Sequence, residues 1–159
     1  MSDTTSELVG DIIVEAAKSE DVAAVKSIVD TAYSKYIDRL GKLPAAVTAD
    51  YEELVKTRTV YVLRVGGSVV GSVILTKAVD SIKVNNLVVD PSAQGRGYGR
   101  MLMDFAERKA RAQCLTALTL FTNEMMHENI GLYRKIGFTE TGRKTEDGFN
   151  RVLFRKDIA

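Results

Sequence analysis

The stretch Val84 to Gly99, VNNLVVDPSAQGRGYG, constrains this chain more than any other. Val84, Leu87, Val88 and Val89 make an apolar run of strand composition. Asp90-Pro91 ends it, because proline has no N–H for a sheet ladder and restricts the residue before it. Gly95, Gly97 and Gly99 follow, and Tyr98, Met101, Leu102, Phe105 and Ala106 then recur at helical spacing. A strand that runs through a glycine loop into a helix presents backbone amides with no side chains over them. The first N–H groups of a helix lack intrahelical partners and carry partial positive charge, so such a loop suits a phosphate or pyrophosphate. Spaced glycines can also do no more than turn a strand tightly into a helix.

The flanks place this unit in one domain. Residues 1–10 read as a polar, mobile start and residues 11–159 as the domain. Ile12 to Ala16 is a strand. Ser19 caps an amphipathic helix that carries Val22, Val25, Ile28, Val29, Ala32 and Tyr36 on one face and runs to about Asp38. Arg39 to Val47 is a loop, and Thr48 caps a shorter helix with Tyr51, Leu54 and Val55 on one face. Thr59–Val65 and Ser68–Thr76 form a hairpin about Gly66-Gly67. After the central unit come a strand over Ala117–Thr122, a helix over Asn129–Ile136 ended by Gly137, and a closing hairpin about Glu146-Asp147-Gly148. The pattern predicts a single mixed sheet with helices packed on it.

Composition removes several function classes. Lys plus Arg number 22 against 21 Asp plus Glu, which argues against nonspecific nucleic-acid binding. Cys114 and His127 are each alone, so there is neither a disulfide framework nor a cysteine or multi-histidine metal site. The start MSDTTSELVGDII has early acid and no long apolar core, and no apolar run has membrane-spanning length, so the cytoplasm is the default expectation. A P-loop would need Gly-Lys-Ser/Thr, but Gly99 is followed by Arg100 and Met101. A dinucleotide fingerprint needs Gly-x-Gly-x-x-Gly at the first turn of the fold, whereas these glycines are two apart and lie past mid-chain.

What remains, Gln94-x-x-Gly97-x-Gly99 directly after Leu87-x-Val89-x-Pro91, resembles the acyl-coenzyme A signature of the GNAT superfamily of N-acyltransferases. Asn129-x-x-x-Tyr133-x-x-x-Gly137-Phe138 resembles that superfamily's second signature, with a strand between the two. The order of elements matches from about Ile12 to Lys156. The resemblance implies an α/β fold with a single central, mixed, mostly antiparallel and splayed sheet, helices on both faces, and acetyl-coenzyme A as cosubstrate with no metal. It further implies that the amides of Gly95, Arg96, Gly97, Tyr98, Gly99 and Arg100, next to Gln94, hold the pyrophosphate. Leu87, Val88 and Val89 would pair with the pantetheine arm, Asn129 would lie along it, and Tyr133 would set its hydroxyl near the thioester sulfur. An amine attacks the acyl carbonyl and a thiolate leaves. The hydroxyl can donate to that sulfur, and the N–H of Val88 or Val89 can polarise the carbonyl.

The chain departs from this pattern in two places. Where many members carry a glutamate before the pantetheine segment, it has Asn85 and Asn86, and an amide cannot take a proton at neutral pH. Glu124, Glu128 and, less favourably, His127 are then the nearby candidates to deprotonate the amine, unless bulk water does so. Gln113-Cys114 stands where a helix-ending glycine is usual, and Cys114 reads as a half-buried structural thiol rather than a nucleophile. The first helices wall the acceptor side in this fold, so Tyr33, Tyr36, Arg39 and Tyr51 join Asn85 and Asn86 as candidate substrate contacts. The acceptor expected is an amine of a small molecule or peptide, with no nucleic-acid or membrane partner, and a homodimer is the assembly left open. A non-catalytic acyl-coenzyme A sensor and a transferase acting on protein N-termini or lysines are the competing readings.

Overall fold

The computed structural model describes residues 6–41, 43 and 45–158 of the 159. In chain order the elements are β1 (Ser6–Val9), β2 (Ile12–Ala16), α1 (Val22–Ser34), α2 (Ile37–Leu40), α3 (Ala45–Thr48), α4 (Tyr51–Lys56), β3 (Val60–Val65), β4 (Ser68–Lys77), β5 (Ser81–Val89), α5 (Tyr98–Ala112), β6 (Ala117–Asn123), α6 (His127–Lys135), β7 (Thr139–Glu146) and β8 (Phe149–Asp157). One sheet has the strand order β1-β2-β3-β4-β5-β6-β8-β7.

The apolar run of β3 has no polar alternation because both of its faces are covered. Val60 and Val62 join a core with Val25, Ile28 and Val29 of α1 and Tyr51 and Val55 of α4. Tyr61 and Leu63 point the other way, into a core with Leu102, Phe105 and Ala106 of α5. The 3-to-4-residue spacing in α1 and α5 delivers these side chains as stripes, and each fully buried one contributes about 1.5–3 kcal/mol. Ile130 and Tyr133 of α6, and Ile136 just after it, pack on the α5 side. This is the expected mixed sheet with helices on both faces.

Every neighbouring pair of strands is antiparallel except β5 and β6. Those two are parallel and pair only over Ser81–Lys83 and Ala117–Thr119. Beyond that point they part, and the sheet opens into a V. A bulge in β5 lies where they part. The register against β4 shifts between Ile74↔Asn85 and Ser72↔Val88, and Asn86 sits at φ +50°. Asparagine tolerates this left-handed geometry better than most residues, and a bulge bends and twists its strand.

Several local expectations are corrected. The start expected to be mobile forms β1 from Ser6, paired antiparallel to β2; residues 1–5 lie outside the described residues. Ser19 does not cap α1: it opens a 3₁₀ turn over Ser19–Asp21 in which Asp21 accepts from the Lys18 N–H at 2.8 Å. The first helix ends at Ser34 rather than near Asp38. The stretch Arg39 to Val47, expected to be a loop, contains the end of α2 and all of α3 but its last residue; Pro44 lies outside the described residues. Asp50, not Thr48, caps α4, by accepting from the Glu53 N–H at 3.2 Å. Cys114 is exposed rather than half-buried, and its φ of +59° occupies the left-handed position after α5 that favours glycine.

Arg64 of β3 fixes the start of α1 to the sheet. Its Nη1 and Nη2 donate to both oxygens of Asp21 at 2.8 and 2.7 Å, and its Nε donates to Glu15 at 2.7 Å. Asp21 is 5% exposed, and its hydrogen bonds to Arg64 hold its carboxyl below the ordinary 3.8. Asp21→Ala is expected to lower unfolding free energy in a denaturant titration by roughly 3 kcal/mol at neutral pH, since it removes both Nη partners of a guanidinium that is only 16% exposed and leaves Glu15 alone to hold it. The folded-state pKa is the lower one, so the stabilisation is complete above the unfolded-state value. It is lost as the pH falls below 3.8 through the folded-state value, and wild type and variant should converge there.

Candidate active site

The V between β5 and β6 holds a cleft of about 780 Å³, walled by Val84, Asn85, Asn86 and Leu87 of β5, Phe121, Thr122 and Asn123 of β6, Asn129 and Tyr133 of α6, Phe149 and Arg151 of β8, Met126, and Tyr33, Leu40 and Ala46 of the opposite helices. A second recess of about 410 Å³ runs from Tyr33, Leu87, Met126 and Asn129, which line both, to Val88, Val89 and Gln94, with Ala32, Lys35 and Tyr36 on its other wall. One groove therefore leads from the open V along β5 to the residue that begins the glycine loop.

The main chain of β5 is available along this groove. The Asp90 N–H is bonded to Val70 O of β4 at 2.8 Å, and main-chain groups alternate sides along a strand, so those of Val89 and Leu87 face away from β4. Gln94 Nε2 reaches Val89 O at 3.5 Å, consistent with that direction. In the loop that follows, Gly95 and Gly97 both have φ +82°, and a Cβ added at either would meet nothing within 4 Å. Gly97 caps α5, whose first N–H groups point into this uncovered space. A bound pyrophosphate fits such a cradle.

Tyr133 sits where α6 meets the cleft. Its ring packs edge-on to Phe138 at 5.9 Å and against Phe154 at 6.0 Å. Burial, and secondarily the neighbouring Tyr33 hydroxyl, pushes its phenol well above the ordinary 10.0, so it stays protonated. Burial likewise pushes Tyr33 up to about 12. Asn129 lies one turn before Tyr133 and lines both parts of the groove.

The remaining sequence candidates divide. Asn85 and Asn86 both face the cleft; Asn85 Nδ2 donates to Thr76 Oγ1 at 3.3 Å. Tyr51 does not line it. It is 2% exposed and its hydroxyl donates to Ala46 O at 2.7 Å, so it braces a lining residue from the core. Tyr36 faces the second recess, but Arg39 does not line the groove. Arg39 Nη1 instead donates to Glu128 Oε1 at 2.8 Å and to Met125 O at 3.2 Å, while the Tyr36 hydroxyl donates to Glu128 at 3.3 Å. These bonds tie α2 to the start of α6 over the cleft's edge.

The candidate bases fare poorly on position. Glu128 is held by Arg39, which drives its pKa to about 2, too low to accept a proton near neutrality. Glu124 and the exposed His127 line neither part of the groove. No aspartate, glutamate or histidine does so among the described residues. Phe121, Met126 and Arg151 line the cleft, although no sequence motif points to them. Arg151 is 7% exposed, and its guanidinium stacks on Phe121 at 4.3 Å. No local signal marks Arg151, because β8 also carries Asn150, Arg155, Lys156 and Asp157.

Known proteins share both the pattern and the fold. A family model described as an acetyltransferase (GNAT) domain matches residues 56–140, more than half of the chain. An IAA acetyltransferase from Azospirillum brasilense is 42% identical over 60 residues, 38% of this chain and 39% of its own length. A peptidyl-lysine N-acetyltransferase, YjaB, from Salmonella typhimurium is 35% identical over 65 residues, 41% of each chain. The matched stretch thus spans about two fifths of the length of these relatives. The structure of a paia N-acetyltransferase from Thermoplasma acidophilum in complex with coenzyme A superposes over 92% of this chain and 99% of that one, with a TM-score of 0.76 at 12% identity. With a splayed sheet, a glycine loop opening α5 and a family model that spans both, the chain belongs to the GNAT family of acetyltransferases.

Proposed function

We propose that this protein moves an acetyl group from acetyl-coenzyme A to a primary amine of a small molecule or peptide, by direct attack in a ternary complex. The observation that carries this reading is the continuity of the groove, which joins the glycine loop, the free edge of β5, Asn129 and Tyr133 to an open chamber with room for a second reactant. The coenzyme A complex of the structural neighbour supports the cosubstrate, and the acetyltransferases among the relatives, one named for peptidyl lysine, support an amine acceptor.

When bound, acetyl-coenzyme A supplies an activated carbonyl and a thiolate leaving group. The amides of Gly95 through Arg100 bind the pyrophosphate at the start of α5. Leu87 and Val89 offer N–H and C=O groups to an extended amide-bearing arm, as a strand would receive another strand. The N–H of Val89 or Leu87, rather than that of Val88, is the donor directed toward the acyl oxygen. Tyr133 holds its proton and directs it toward the sulfur. Asn85, Asn86, Thr122 and Asn123 orient water at the chamber wall but accept no proton.

Because the groove is lined by no carboxylate or imidazole among the described residues, the amine's proton leaves through water. An aliphatic amine has a pKa of about 10, so kcat/KM should climb about tenfold per pH unit through neutrality, following the free-base fraction. Tyr33, with its value near 12, stays protonated over that range and imposes no alkaline fall. The test is thiol release from acetyl-coenzyme A over a panel of amines and peptides at several pH values. A plateau beginning near pH 6–7 would instead identify a base on the enzyme. Tight coenzyme binding without release for any acceptor would replace the transferase with a binding module.

A further inference from the structure

We infer that the amine accepted in the β5–β6 cleft carries a carboxylate or similar small anionic group, and that Arg151 is the residue that receives it. This rests on the acceptor-cleft reading above. Arg151 lines the cleft from β8 although its side chain is only 8% exposed. Among the described residues its hydrogen bond runs from Nη1 to Glu146 Oε1, which leaves the Nε and Nη2 donors for water or a ligand. Phe121 fixes the plane of the guanidinium by stacking at 4.3 Å, and Lys83 Nζ lies 4.7 Å from the same ring.

The charges near this wall do not cancel. Glu146 is shared with Lys144 at 3.2 Å and is not a lining residue, whereas Arg151 is. Two cations therefore meet at Phe121, and no lining carboxylate faces them among the described residues. No buried side-chain nitrogen lacks a partner among the described residues, so Nε and Nη2 are within reach of a ligand, and a carboxylate there would give the guanidinium a second counter-charge beside Glu146. The planar fork of arginine matches a carboxylate, and Asn85, Thr122 and Asn123 supply further polar contacts around it. A polyamine or other polycationic acceptor would bring positive charge to a wall that is already positive. Phe121, Phe149 and Leu40 suit an acceptor with an apolar body between its amine and its anion.

The test has a binding arm and a kinetic arm. In the binding arm, 3-phenylpropionate and its uncharged analogue 3-phenylpropanamide are titrated by NMR into wild type saturated with coenzyme A. The carboxylate should bind about 10- to 100-fold more tightly, the worth of a hydrogen-bonded charge. Arg151→Gln should abolish the difference while coenzyme A affinity stays within about twofold, which shows that the site is still folded. Equal binding of acid and amide by wild type, which needs no variant, would overturn the inference. In the kinetic arm, kcat/KM is compared for phenylalanine, phenylalaninamide and 2-phenylethylamine. Preference for the acid supports the proposal, and acetylation of only the uncharged amines contradicts it while leaving the transferase reading intact. Selective binding of the carboxylate without turnover of any amine would keep the anion site and remove the transferase.

Discussion

Tyr133→Phe is expected to lower kcat by about 100-fold while the Kd for acetyl-coenzyme A changes less than twofold. The ring is held by Phe138 and Phe154, so phenylalanine keeps the packing and removes only the hydroxyl. What that hydroxyl does follows from its acidity. A thiol ionises near 8.5, whereas burial raises this phenol further above its ordinary 10.0. Complete transfer of the proton to a departing thiolate is therefore uphill, and Tyr133 acts as a fixed hydrogen-bond donor. Removing one such donor from a developing anion typically costs roughly 10²–10³ in rate. Because the phenol does not ionise in the working range, the pH profile of the variant should keep the slope of wild type. Steady-state rates and a binding titration together check this. Equal kcat for variant and wild type would remove Tyr133 from the chemistry, and a parallel loss of affinity would reassign it to binding.

Gly97→Val is expected to weaken acetyl-coenzyme A binding by roughly 30- to 100-fold. The φ of +82° at this cap is one that a β-branched residue adopts only with strain of about 1–2 kcal/mol or more. The loop would shift to relieve it and misdirect the amides that open α5, and a hydrogen bond to a charged group is worth about 1.5–3 kcal/mol. Gly99 provides the contrast. It lies inside α5 at ordinary helical φ, and an added Cβ would touch Leu87 and Val89 at 3.8 Å, an ordinary contact. Gly99→Ala should leave affinity within about threefold. The same titration reads both, and equal affinities for wild type and Gly97→Val would show that the loop is not the cradle.

The parts of the molecule legible in the sequence are those written in local patterns. The two hairpins, the stripe of α5 and the strand-loop-helix unit depend on residues a few positions apart, and each forms within a few residues of its expected bounds. The parts that were not legible depend on distant pairs. Arg39 and Glu128 are 89 positions apart, so no local pattern marks either as the other's partner, and the ion pair that disqualifies Glu128 as a base is invisible in the sequence. Arg151 reaches the cleft because β8 pairs with β6 in the register Asn123↔Arg151, which no short motif specifies. Tyr51 reads in sequence as a specificity residue because it is an aromatic on one of the first helices, but its hydroxyl is taken by Ala46 in the core. β1 is illegible in the sequence because its four residues form a strand by pairing with β2, while their own composition is polar enough for a loose end.

The most direct test is a calorimetric titration of the folded wild-type protein with acetyl-coenzyme A. The groove from the glycine loop to Tyr133 predicts saturable heat at one site per chain, retained with free coenzyme A and lost in Gly97→Val. No heat from either ligand would contradict the assignment of the loop and of the chemistry built on it, leaving only the architecture.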